Sequence, residues 1–161
     1  MKKSIILGII VGIIVIVLIT NTLFIDHKNG QTQKGYFTDY GCSGSTGCIS
    51  GIVARVIDGD TLEINGTRIR LALTSTPELS EKNGIDAKDF TSKFCPVGSY
   101  VIVDEDDLQK GGSYGRTIGK VLCKHGMLNS ALLESNLAYI DKRFCSTSEF
   151  SSEDWAKKHG C

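Results

Sequence analysis

Five strand-like segments and about three helical ones predict a mixed α+β domain, a small closed barrel with helices packed outside it. Two observations carry that prediction. A three-strand meander is written around an Asn65-Gly66 turn, and helix-spaced apolar residues fill the segments between and after the later strands. A third observation separates this domain from what precedes it: the first 25 residues are nearly all apolar.

That leading segment has Lys2 and Lys3 ahead of residues 5–19, all Ile, Leu, Val and Gly, and Leu23-Phe24-Ile25 extends the run past Thr20-Asn21-Thr22 with no internal charge. About 20 apolar residues in a helix cross a bilayer core. The predicted reading is one N-terminal transmembrane helix with its start in the cytoplasm and the remainder exported. A cleaved signal peptide is the competing reading, but no good small-residue cleavage site follows the run. Domain organisation is then residues 1–25 as membrane anchor or signal, 26–47 as a polar tether with a cysteine-containing entrance, and 48–161 as the folded domain. The expected location is the extracytoplasmic side of the cell membrane, single-pass, or secreted if the segment is cleaved.

Within the domain, residues 49–57 read as the first strand and Asp58-Gly59-Asp60 as a turn. Residues 61–64 and 67–73 are strands on either side of Asn65-Gly66, a strong hairpin signal. Pro77 and residues 80–83 mark a loop. Residues 85–95 carry Ala87, Phe90 and Phe94 on one side of a helix that Pro96 ends. Residues 100–103 and 117–123 are further strands, separated by the acidic run at 104–107, read as exposed, solubilising acids. Residues 127–137 space Leu128, Ala131 and Leu132 as a helix does. A final helix starts near Ser151 or Ser152, where Glu153 and Asp154 suit a first turn, and carries Trp155.

The six cysteines, Cys42, Cys48, Cys95, Cys123, Cys145 and Cys161, all follow the apolar run. An even count in a small exported domain favours disulfides, although six cysteines allow fifteen complete pairings. Cys42 with Cys48 and Cys145 with Cys161 are the natural local partners, which leaves Cys95 with Cys123. Zinc is the weaker reading, because no close Cys-x-x-Cys pair exists and His27, His125 and His159 are scattered. Charge is balanced at 18 basic and 18 acidic residues, and setting aside Lys2 and Lys3 leaves a slight acidic excess. Such a chain has no bulk attraction for a polyanion; phosphate recognition must come from local arginines.

Three short motifs supply chemistry: VIDGDT at 56–61, RLALTSTPE at 70–78 and YGR at 114–116. Singly, each is ordinary. Asp58 is a common turn former, Arg70 would sit on a solvated strand face, and Glu78 could cap its loop. Together they offer a carboxylate to hold a hard cation, another to orient water, and planar donors for phosphate. Arg116 adds a donor from a different strand.

With these motifs in this order, residues 49–155 resemble the staphylococcal nuclease-like, or thermonuclease, family; NSALLESNLAYI at 129–140 also resembles its helix after the last barrel strand. The resemblance implies an OB-fold, a five-stranded β-barrel with three helices. It implies Asp60 as a calcium ligand, Arg70 and Arg116 as catalytic and phosphate-contacting arginines, and Glu78 as the residue that prepares the attacking water. Thr76 would bring its backbone carbonyl to calcium, Asp58 would support the metal, and Tyr114 would border the nucleotide cleft. Ser75 departs from the pattern, which has aspartate there. A hydroxyl cannot restore the lost negative charge, so calcium is expected to bind weakly, leaving room for another divalent cation.

The expected function is an exported, membrane-tethered nuclease hydrolysing DNA or RNA, leaving 3′-phosphate products. The alternative is a catalytically impaired barrel acting as a nucleic-acid or protein binding module. Expected partners are the nucleic-acid substrate and, through the N-terminal segment, the lipid bilayer. No feature calls for an obligate protein partner, and a monomer is expected.

Overall fold

The computed structural model describes residues 41–112 and 114–161. The anchor expected at 1–25, and the tether up to residue 40, lie outside the described residues. Among those described, no helix is long and apolar enough to cross a membrane. In chain order the elements are β1 (Cys48–Val56), β2 (Thr61–Ile64), β3 (Thr67–Leu71), β4 (Thr74–Ser75) and α1 (Gly84–Phe94). There follow β5 (Tyr100–Glu105), β6 (Thr117–Cys123), β7 (Gly126–Met127), α2 (Leu128–Glu134), β8 (Tyr139–Ile140) and α3 (Asp154–His159).

The sheet runs β3-β2-β1-β5-β6-β7, and a parallel pairing of β3 with β6 closes the first five strands into a barrel. Strand β1 makes closure possible. Its first half, Cys48 to Ile52, pairs with β5, and its second half, Val53 to Val56, pairs with β2 across a register shift. A shift of this kind bends a strand, so one strand serves two walls. The expected hairpin is present: Ile64 pairs with Thr67, and Asn65 and Gly66 both have positive φ, as a tight primed turn requires.

Alternation along the strands turns Val53, Leu62, Ile64, Ile69, Val101, Val103 and Val121 into the barrel, where Leu128 and Leu132 of α2 close one end. Each buried aliphatic side chain contributes roughly 1.5–3 kcal/mol. A second cluster, Leu73, Ile118, Leu133, Ile140, Phe150 and Trp155, seats α2, β8 and α3 on the outside. Asn129 lies fully buried between the two. Its Nδ2 donates to the Ala72 carbonyl at 2.9 Å and its Oδ1 accepts from the Val121 N–H at 3.0 Å, which satisfies a side chain that would otherwise be costly to bury. The disulfides are Cys42–Cys48, Cys95–Cys123 and Cys145–Cys161, the pairing expected from locality.

Three expectations need correction. The third strand stops at Leu71 rather than 73, because Leu73 takes a left-handed φ of 59° and turns the chain into β4, which pairs with β8. The final helix begins at Asp154, behind a 3-10 turn at Glu149–Ser152, where Ser148 Oγ accepts from the Phe150 N–H. The acidic run is not a solvated strip. Asp104 and Asp106 are buried, the first accepting from the Ser43 N–H and Oγ and pairing with Lys120, the second accepting from the Leu108 and Glu149 N–H groups. The run folds inward because the loop at 42–46 brings backbone donors to Asp104 and Asp107, and the Leu108 and Glu149 N–H groups bring them to Asp106.

Candidate active site

The Asp58-Gly59-Asp60 turn is fixed by short-range bonds. The Asp60 N–H donates to Asp58 Oδ1 at 3.1 Å, and the Ile57 N–H to the Thr61 carbonyl at 2.9 Å. Asp58 is thus the turn former its residue type suggested. Gly59 is required by contact: a Cβ there would come within 2.7 Å of both Ala87 Cβ and Thr76 Oγ1. The turn can therefore press against α1, whose Thr91 Oγ1 donates to the Gly59 carbonyl at 2.6 Å.

This clamp points the Asp60 carboxylate inward at the barrel mouth. Its Oδ2 accepts from the Thr76 N–H at 2.6 Å and Thr76 Oγ1 at 3.0 Å. Its Oδ1 accepts from Thr61 Oγ1 at 3.2 Å and forms an ion pair with Arg70. Arg70 is held on its other side as well, Nη1 donating to the Thr74 carbonyl at 3.3 Å and Nη2 to Ser75 Oγ at 2.7 Å. Burial pushes the Arg70 guanidinium pKa down and the nearby Arg116 charge adds to that effect, while Asp58, Asp141 and Glu78 pull it back up. Arginine still stays cationic at neutral pH.

Arg70, Ser75, Tyr114 and Arg116 line a single cavity of about 360 Å³. The loop that delivers the last two is tightly wound. Gly111, Gly112, Tyr114 and Gly115 all have positive φ, and a Cβ on Gly112 would fall 1.6 Å from the Arg116 carbonyl. Tyr114 is 96% exposed, so it is a rim residue and not a packing residue of the barrel. The Arg116 guanidinium lies 5.9 Å from its ring centroid. Glu78 stands apart from the cavity lining, exposed on the loop before α1, where its N–H donates to Glu81 Oε2 at 2.8 Å. Its charge nevertheless acts on Arg70.

The cavity is also lined by residues that the motifs did not single out, among them Asp141, Arg143 and Phe144. Arg143 forks onto Asp141 through Nε at 2.8 Å and Nη2 at 2.6 Å, and lies 5.5 Å from the Phe144 ring centroid. The Arg143 partnership holds the Asp141 carboxyl below its ordinary range. The available signal was the charged Asp141-Lys142-Arg143 group directly after the apolar β8.

The calcium site implied by the sequence can be tested against these donors. Both Asp60 oxygens and Ser75 Oγ are already engaged, and the charge beside them is the Arg70 guanidinium. Of the expected set, the Thr76 carbonyl and one Asp58 carboxylate oxygen remain, against six to eight oxygens for calcium. Among the described residues, no group of three or more His, Cys, Asp or Glu is placed to hold a metal. As arranged, these residues do not fit a calcium ion.

The cavity's chemistry is therefore that of an anion site. Two guanidiniums flank one opening, a third stands on its rim, and aromatic rings border it. Comparison with known families matches residues 68–159 to the staphylococcal nuclease homologue model, more than half of the chain and the part that carries Arg70, Glu78 and Arg116. No curated protein matches the chain. A five-stranded closed barrel, three helices and this match place the chain in the staphylococcal nuclease homologue family, whose domain points to a nuclease-type function.

Proposed function

We propose that this protein is an exported, membrane-tethered phosphodiesterase that hydrolyses flexible, single-stranded DNA or RNA. The observation that carries the reading is the convergence of Arg70 and Arg116 on one cavity in a chain without excess positive charge. Export is supported by the apolar N-terminal segment and by three disulfides in a small domain.

In this reading a scissile phosphate enters between the two guanidiniums. Water attacks the phosphorus in line, the opposite P–O5′ bond breaks and the departing 5′ oxygen takes a proton from solvent, while Arg116 and Arg70 neutralise the charge that grows on the phosphoryl oxygens. Glu78, on its exposed loop, takes the proton from that water. Arg70 is the more constrained of the pair, because Asp60 fixes it from below while Ser75 offers only a neutral hydroxyl. A phosphate oxygen is a better acceptor than that hydroxyl and displaces it. The family is generally calcium-dependent. Here calcium would have to separate Arg70 from Asp60, so its binding is weak, and no step above is routed through it.

A second reading has one observation in its favour. The Asp60–Arg70 ion pair could lock the cleft as a binding module without turnover. Oxidised full-length protein in mild detergent, mixed with single-stranded DNA or RNA, separates the two when compared with Glu78→Gln. The enzyme reading expects equal binding and a loss of cleavage on the order of 10²–10⁴-fold in the variant. Equal binding by both proteins with no cleavage by either would establish the module instead.

A further inference from the structure

Beside the cleft, on the outer face of β1, β2 and β3, lies a second depression of about 420 Å³, lined in part by Arg55, Asp58, Arg68, Lys88 and Arg116. None of Arg55, Arg68 or Lys88 belongs to the motifs that mark the cleft. Arg116 lines both depressions, so the two are joined through its side chain.

The strand register arranges these charges. Arg55 pairs with Glu63, and Glu63 pairs with Arg68, so the three cross β1, β2 and β3 in one row. Arg55 Nη2 donates to Glu63 Oε2 at 2.9 Å, an exposed pair that contributes little to stability. Among the described residues, neither Arg68 nor Lys88 forms a salt bridge. Four cationic side chains thus face two carboxylates, Glu63 and Asp58. This patch is cationic on a chain whose total charge is zero.

Arg55 and Arg68 sit two strand spacings apart, about 10 Å. With Lys88 and Arg116 on two further elements, the cations are spread along the depression, which suits the successive charges of an extended phosphate backbone better than one small anion. We propose that this groove binds the phosphate backbone of the nucleic-acid strand where it runs on from the cleft, with Arg116 as the shared contact. The inference rests on the nucleic-acid reading of the cleft, but it requires only binding and no turnover. It assigns Arg55, Arg68 and Lys88 to substrate grip, and it makes affinity depend on substrate length.

The test is binding by fluorescence anisotropy, with chelator present, of a labelled single-stranded 12-mer and a labelled trinucleotide. Oxidised full-length protein in mild detergent is compared with the Arg55→Gln/Arg68→Gln/Lys88→Gln variant across a salt series. Each phosphate contact on a single strand contributes about 0.7 to the slope of log K against log salt. The variant should lose about 2 from that slope with the 12-mer, and about tenfold or more in affinity at low salt. The trinucleotide should bind both proteins equally. Lysine at positions 55 and 68 (Arg55→Lys/Arg68→Lys) should keep the slope, and matching melting midpoints exclude misfolding.

An unchanged slope with the 12-mer overturns the groove, as does an equal loss for both lengths. So does a defect confined to vesicles of anionic phospholipid, which would make the patch a membrane-facing surface. If wild-type protein shows the length-dependent slope but cleaves nothing, the groove stands and the nuclease reading falls.

Discussion

The acidic corner at residues 104–107 and the single carboxylate of Asp60 are held in opposite ways. At Asp104, Asp106 and Asp107, the donors are mainly backbone N–H groups of the Ser43–Thr46 loop and of neighbouring turns, with Lys120 beside Asp104. The Thr46 hydroxyl and the Ser45 N–H hold the Asp107 carboxyl far below its ordinary value. The donors at 43–46 cannot move away without opening the loop that Cys42–Cys48 closes. At Asp60 the decisive donor is a long side chain, Arg70, whose other bonds go to a hydroxyl and a carbonyl. That guanidinium can be shared with an incoming anion. Carboxylate density therefore marks the structural corner, whereas the cleft is marked by arginines.

The sharpest way to break this contrast is at the rim. Arg116→Ala should lower kcat by roughly 10²–10³-fold, the scale for losing one preorganised donor to a developing oxyanion. The melting midpoint should change far less than kcat, since Arg116 is half-buried at the end of an exposed loop and outside the core clusters. A variant that cleaves normally would mean that the cavity is not where the chemistry happens.

Cutting the acidic corner should give the converse result. Cys42→Ser/Cys48→Ser opens a short loop, with an expected loss of about 2 kcal/mol in denaturant unfolding and no change in kcat. The longer Cys95–Cys123 closure, buried in the core, should be worth about 3–4 kcal/mol by the same loop-entropy argument. If opening Cys42–Cys48 abolished cleavage while the fold held, the two regions would not be separable.

Ser75→Asp brings the two regions closer in character. It places a second carboxylate against Arg70 and Asp60, and calcium affinity by titration calorimetry should rise by on the order of tenfold, about 1.4 kcal/mol. Unaltered affinity would show that Arg70, and not the missing charge at position 75, excludes the ion.

The smallest effect concerns Glu149, whose carboxyl is pushed up by burial and then by the charges of Asp107, Asp104 and Asp106. A carboxyl with a raised folded pKa is favoured in its neutral form, so its ionisation destabilises the fold above that pKa and ceases to do so as pH falls below the unfolded value. Glu149→Gln keeps the acceptor for the Asp107 N–H and removes the charge. Its melting midpoint at pH 7 should exceed wild type by roughly 1–2 °C, a fraction of a kcal/mol for a chain of this size. The gap should close below about pH 4.3. A gap that widened with acidity would reverse the assignment.

Much of the barrel was legible because its signals are local. Asn65-Gly66 names its own turn, alternation names the inward face of each strand, and three cysteine pairs follow from proximity and remainder. What was not legible depends on partners far apart in the chain. Asp104 looks solvent-bound until Ser43, 61 residues earlier, supplies its donors, and Asp106 until the Glu149 N–H, 43 residues later, supplies one of its own. Asp141, Arg143 and Phe144 reach the cavity only because β8 pairs with β4, each strand two residues long and without a periodicity to read. The consequence of Ser75 was half visible. A lost charge could be read from the residue type, but that Arg70 would turn toward the serine hydroxyl required the geometry.

The central claim is that the arginine cleft breaks phosphodiester bonds despite its poor fit to calcium. It is tested most directly by the cleavage rate of a single-stranded oligonucleotide with oxidised full-length protein, across a calcium series from chelator upward, beside Arg116→Ala. Cleavage should depend on Arg116, with any calcium stimulation appearing only at about 10⁻⁴–10⁻³ M, the range of weak extracellular sites. Absence of cleavage at every calcium concentration by folded protein, or equal cleavage by Arg116→Ala, would contradict it.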